Sequence, residues 1–272
     1  MKLIDRKPKR LFAFGCSFTA YHWATWPEIV AYDLGIPMYN LARCGAGNQY
    51  IVNMIAQANE IFKFNSDDLI MVCWSGYMRE DRWFDGGWQV AGSVHSNNIY
   101  DQDFVDRYMN PDWCFIRDFA AFSLIKHLLN NTSSQYHMFS MLNLKKPEMD
   151  FDQDHSSSVE RRLLEIYAST IDSMLPDFET AIWNSDIAEH KNAQLEKIFN
   201  CGFSDWHPLI DEHYQYLDAV FDEHIFSSGT KNLVDHTHKC MIDYINSTSD
   251  CDLVNSKQFH IVKNHCDCTV IA

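Results

Sequence analysis

One stretch near the start constrains this chain more than any other: Leu11-Phe12-Ala13-Phe14-Gly15-Cys16-Ser17-Phe18-Thr19, an apolar run that stops abruptly in small and hydroxylated residues. So short a run, closed by a glycine, fits a fully buried strand followed by a tight turn. In a parallel α/β sheet that turn lies at the carboxyl edge, where such folds bind ligands, and it presents the Ser17 hydroxyl there. A serine hydroxyl becomes a useful nucleophile only when a neighbouring base takes its proton and an acid orients that base. Far along the chain, Ser204-Asp205-Trp206-His207-Pro208 supplies a histidine and an aspartate.

The residues between these stretches alternate in period. Residues 26–35 read as a helix with proline in its first turn and glycine at its end. A short strand follows at 36–41. Residues 48–64 place Ile51, Ile55, Ala58 and Phe62 on one helical face, and 68–75 form an unbroken apolar strand. A helix at 117–129, a strand at 136–144, a helix at 161–175, a short final strand at 179–183 and a last helix at 208–221 complete the pattern. The alternation predicts a flavodoxin-like three-layer α/β/α fold with a central parallel sheet of about five strands.

Two segments depart from it. Residues 80–115 scatter Trp83, Phe84, Trp88, Tyr100, Phe104, Tyr108, Trp113 and Phe115 among Asp, Asn and Gly. An insertion after a strand's carboxyl end lies on the ligand side, so these rings are expected either to wall a pocket over Ser17 or to pack the insertion onto the domain. The tail after residue 222 holds five of the thirteen histidines and four of the nine cysteines. The expected organisation is one α/β domain over 1–222, with the insertion at 80–115, and an extension over 223–272.

Of the 272 residues, 46% are hydrophobic and 14% aromatic, which excludes a disordered chain. The formal charge of −15 argues against nucleic acid as a partner, because phosphate binding needs clustered Lys and Arg. No apolar run approaches the roughly 18 residues that span a bilayer, and the basic start leads to no secretion signal. With an odd number of cysteines, the expectation is reduced thiols in a cytoplasm. His236, His238, Cys240, His265, Cys266 and Cys268 have no paired zinc-module spacing, so no metal or other cofactor is expected, and a structural tail is preferred to a zinc site.

The Gly15-Cys16-Ser17 turn, the block Asn40-Leu41-Ala42-Arg43-Cys44-Gly45-Ala46-Gly47-Asn48 and the Asp205/His207 pair occur in the order found in the SGNH (GDSL-type) hydrolase superfamily, which this chain resembles over about residues 8–222. It departs from that pattern in three ways. Cys16 stands where most members have Asp; the acid and base are spaced Asp-x-His; and the third block reads Trp74-Ser75-Gly76-Tyr77-Met78-Arg79, without the usual oxyanion-hole asparagine.

The resemblance implies a serine-dependent ester hydrolase. Ser17 would be the nucleophile, His207 the base and Asp205 its orienting acid, with the backbone amides of Ser17 and Gly45 in the oxyanion hole. Asn48 and Arg79 are the side chains available to replace the missing asparagine, and Arg79, Trp83 and Trp88 are candidates for substrate binding. Arg79 also has the plainer option of pairing with Glu80 or Asp81. The substrate would be a small or carbohydrate ester. The alternatives are an O-acyltransferase using the same triad and a glycan- or protein-binding module that has kept the cleft and lost the chemistry.

Overall fold

The computed structural model describes residues 1–95, 99–145, 158–182, 207–247 and 259–265. In chain order the first half comprises β1 (Arg10–Phe14), α1 (Trp26–Leu34), β2 (Met38–Asn40), α2 (Asn48–Phe62), β3 (Asp68–Trp74), β4 (Arg79–Phe84) and β5 (Gly87–Ser93). There follow α3 (Gln102–Tyr108), α4 (Pro111–Asn130), β6 (Gln135–Ser140), α5 (Ser158–Ile166), α6 (Ala168–Ile171), α7 (Phe178–Ile182), α8 (Ile210–Val220) and α9 (Ser228–Ser247).

The sheet is parallel, in the order β2-β1-β3-β6. β3 is buried along its whole length and β1 from Leu11 to Phe14, as expected of central strands covered on both faces. α1, α8 and α9 pack together as one helical layer, and α2 packs with α4 as the other. The three-layer α/β class therefore matches the alternation in the sequence.

Several element boundaries do not. Four parallel strands are present among the described residues. Of the segment 179–183, expected as a further strand, the described residues 179–182 are instead helical within α7, where Asp177 accepts the Thr180 amide at 2.7 Å and Phe178 is buried against Phe139 and Tyr216. The helix expected at 161–175 breaks near Tyr167 into α5 and the single turn of α6. The described residues of 80–115 are largely regular: β4 and β5 form an antiparallel hairpin, and α3 is capped by Asp101, whose carboxylate accepts the Phe104 amide at 2.7 Å.

The described part of the tail packs on the same body. α9 lies on α1 and α8, anchored at its start by Asp33, which accepts from Ser227, Thr230 and His224. Residues 259–265 run along the outer edge of β2, with a parallel bridge between Met38 and Asn264. Among the described residues no helix is long and apolar enough to cross a membrane, and no group of three or more His, Cys, Asp or Glu is placed to hold a metal ion. Cys266 and Cys268 lie outside the described residues.

Candidate active site

β1 ends at Phe14, and the chain then makes one tight turn in which the amides of Thr19 and Ala20 both donate to the Cys16 carbonyl, at 2.9 and 3.0 Å. A β-carbon on Gly15 would lie 2.1 Å from Thr19 Oγ1 and 3.0 Å from the Cys73 carbonyl, so only glycine fits there. Thr25 Oγ1 and Asn40 Nδ2 each donate to the Thr19 carbonyl at 2.7 Å, locking the turn to α1 and β2. Ser17 is held at the end of this turn, 3% exposed. Neither its hydroxyl nor its amide forms a hydrogen bond to another described residue.

His207 is brought to the same turn from the far end of the chain. Its ring stacks on Tyr21 with centroids 3.8 Å apart and planes 18° apart, and lies 5.7 Å from the Phe18 ring. Its neighbours fix its position. Trp23 Nε1 donates to the Pro208 carbonyl at 2.8 Å, and the Leu209 amide donates to the buried Glu212 carboxylate at 2.6 Å where α8 begins. The imidazole expected from the sequence thus rests on Phe18 and Tyr21, two aromatic residues of the segment that follows Ser17. Asp205 lies outside the described residues.

The second block forms the loop between β2 and α2. Gly45 has φ +82°, a left-handed conformation that favours glycine, and a β-carbon there would meet the Val90 carbonyl at 3.2 Å. Its amide donates to no other described residue. The hairpin grips the three residues of this loop in turn. Gly92 N–H donates to the Gly45 carbonyl at 2.8 Å, Arg79 Nη1 donates to the Ala46 carbonyl at 2.9 Å, and Asp81 Oδ1 accepts from the Gly47 amide at 2.8 Å. The other Asp81 oxygen accepts from the Tyr50 amide at 2.9 Å. Asp81 is buried, and desolvation raises its pKa to about 6 against the opposing pull of these two amides.

Two expectations change at this point. Asn48 was a candidate to replace the missing oxyanion asparagine, but both its amide hydrogens are committed: Nδ2 donates to the Ser75 carbonyl at 3.2 Å and to Asp118 Oδ2 at 2.8 Å. Its Oδ1 accepts the Ser75 amide at 2.9 Å. Asn48 therefore ties the end of β3 to α2 and α4, and its side chain has no donor left for an oxyanion. Arg79 pairs with neither Glu80 nor Asp81 but reaches back to Ala46. Glu80 instead pairs with Arg82 and with Arg117, which also binds Asp118 at 2.6 Å. Trp83 is half exposed near the hairpin tip, and Trp88 packs edge-on against Tyr50 and Trp83, at 5.8 and 6.0 Å.

Beneath the turn, the absent Asp is replaced by a soft, uncharged contact. Cys16 is buried with its Sγ 3.5 Å from Met141 Sδ, which also lies 3.7 Å from Ser75 Oγ and from Arg79 Nη2. A thioether can fill this space because position 16 carries no charge that needs solvation.

Sequence reasoning missed Tyr21, Asp81 and Glu28. Asp81 left one trace: α2 begins after Gly47, which has no side-chain acceptor for the helix amides, so a cap had to come from elsewhere.

No protein-family model and no curated protein sequence matches the chain. In structure it is similar to a GDSL-like lipase from Bacteroides thetaiotaomicron, 10% identical, with 82% of this chain and 90% of that one covered and a TM-score of 0.40. It is also similar to a putative GDSL-like lipase from Parabacteroides merdae, 13% identical, covering 81% of this chain and 99% of that one at a TM-score of 0.40. An acetylxylan esterase from Geobacillus stearothermophilus, 14% identical, covers 84% of this chain and is itself covered in full, with a TM-score of 0.37.

Proposed function

We propose that this chain is a serine-dependent ester hydrolase in which Ser17 is the nucleophile, His207 the general base and Asp205 the acid that orients it. The observation that carries this reading is the stack of His207 on Tyr21 at 3.8 Å, which brings a titratable ring to the turn that presents an otherwise unbonded serine. His207 takes the Ser17 proton as Oγ attacks the ester carbonyl, then delivers it to the departing alcohol. Water, activated by the same ring, releases the acid from the serine ester. The oxyanion is met by the Ser17 and Gly45 amides, both unengaged by other described residues. With Asn48 otherwise committed, these two backbone donors act without a side-chain third, and slow turnover is expected. One lost donor of this kind costs about 10²–10³ in rate.

The substrates expected are short-chain esters, including acetylated sugars. The test is hydrolysis of 4-nitrophenyl acetate by the wild type, Ser17→Ala and His207→Ala. Loss of turnover in both variants with folding retained supports the triad. Equal rates for wild type and Ser17→Ala would overturn it.

A further inference from the structure

Beside the nucleophile turn lies a cleft of about 760 Å³. It is lined by Ala20 and Tyr21 of the turn, by Asn40 and Ala42 at the end of β2, by Glu28 of α1, and by residues 260–264 of the tail. Tyr21 is the ring on which His207 stacks, so the cleft and the proposed centre share a wall.

The tail segment is fastened as a fixed wall. The Ala24 amide donates to the Phe259 carbonyl at 3.0 Å, and the Asn264 side chain pairs with the Asn40 backbone at 2.9 Å in both directions. Between these ends, the buried Glu28 carboxylate accepts from Ile261 N at 2.7 Å, Val262 N at 3.0 Å and His260 Nδ1 at 2.7 Å. The one acid lining the cleft among the described residues therefore has both oxygens occupied.

What remains there is a set of donors. His260, turned to Glu28 through Nδ1, forms no bond through Nε2 to another described residue, and the exposed Lys263 ammonium has no ion pair among them. In a chain of formal charge −15, this is a local positive site bordered by Ala20 and Tyr21 of the segment that carries the proposed nucleophile.

We propose that this cleft receives a carboxylate carried by the ester substrate, held by Lys263 and His260 while the ester bond lies at Ser17. The inference rests on the ester-hydrolase reading for the position of the ester but not for binding itself. A singly charged carboxylate fits two donors and one uncompensated cation, whereas a phosphate dianion would meet more repulsion from so acidic a protein.

The experiment compares two ligands that differ in charge, monoethyl succinate and diethyl succinate, by calorimetric titration into the Ser17→Ala protein at low salt. Tighter binding of the monoethyl ester by about fivefold is expected, and a ratio near one after adding Lys263→Ala. Equal binding of the two esters with Lys263 in place would overturn the inference. So would displacement of the monoethyl ester by inorganic phosphate at lower concentration than by acetate.

Turnover of the same pair by wild type separates the two readings. A charge preference in binding without Ser17-dependent hydrolysis would sink the ester-hydrolase reading and leave the carboxylate site standing. Ser17-dependent hydrolysis without a charge preference would do the reverse.

Discussion

Asp81, on the hairpin, caps a helix to which it is not joined: its carboxylate accepts the Gly47 amide at 2.8 Å, at the start of α2. Capping is normally done by the residue preceding the helix. Here that residue is Gly47, and the acceptor is lent by β4. The same hairpin holds the Gly45 and Ala46 carbonyls, so the loop that presents the proposed oxyanion donor is set by the inserted strands.

The burial of this carboxylate makes a prediction about pH. Asp81 is raised from 3.8 to about 6, so between those values the folded state binds more protons than the unfolded chain, and Asp81's contribution to stability falls as pH rises through that window. From pH 5 to 7.5, the unfolding free energy of the wild type should lose about 1.4 kcal/mol relative to Asp81→Asn, whose side chain does not titrate. Urea melts of both proteins at these two pH values measure the difference. A difference independent of pH would show that Asp81 is ionised throughout.

Gly45→Ala tests the loop itself. The new methyl meets the Val90 carbonyl at 3.2 Å in a backbone conformation of φ +82°, so either the loop or the hairpin must shift. We expect kcat for an aryl ester to fall by about 10²-fold or more with a smaller change in KM, the signature of a donor that acts chiefly on the transition state. Unchanged kcat would remove Gly45 from the oxyanion site.

Asn48 should behave differently. It and its partners Ser75 and Asp118 are wholly buried, so Asn48→Ala leaves the Ser75 amide and carbonyl and the Asp118 carboxylate short of partners. A loss of about 2–4 kcal/mol in unfolding free energy is expected, with activity falling only as far as the folded population does. A specific loss of kcat in a protein of normal stability would return Asn48 to the chemistry.

These contrasts show which features the sequence could carry. The turn at Ser17 was legible because a buried strand, a glycine and a serine are contiguous, and the parallel sheet was legible because each of its strands is a short local run. The fate of Asn48 was not. Whether an amide is spent on Ser75 and Asp118 or free for a ligand depends on residues from three elements that no local period relates. The helical state of 179–182, expected as strand, was hidden for a similar reason. So short a segment has no intrinsic preference strong enough to resist the packing of the adjacent Phe178 onto Tyr216, with centroids 3.8 Å apart.

Tyr21 is the last residue whose role can be isolated. Its ring lies flat against His207, so in the proposed mechanism it would fix the plane of the imidazole. Aromatic pairs of this kind contribute about 0.5–1.5 kcal/mol, which translates to at most about a tenfold change in rate if the whole contribution serves to orient the base. Tyr21→Ala should therefore lower kcat for 4-nitrophenyl acetate by up to about tenfold, and Tyr21→Phe, which keeps the stack, should recover most of the loss. A structural role alone would reduce the melting temperature in both variants without separating their kcat values. If Tyr21→Ala leaves kcat and its pH profile as in the wild type, the stack is packing only, and His207 needs no such support to reach the serine.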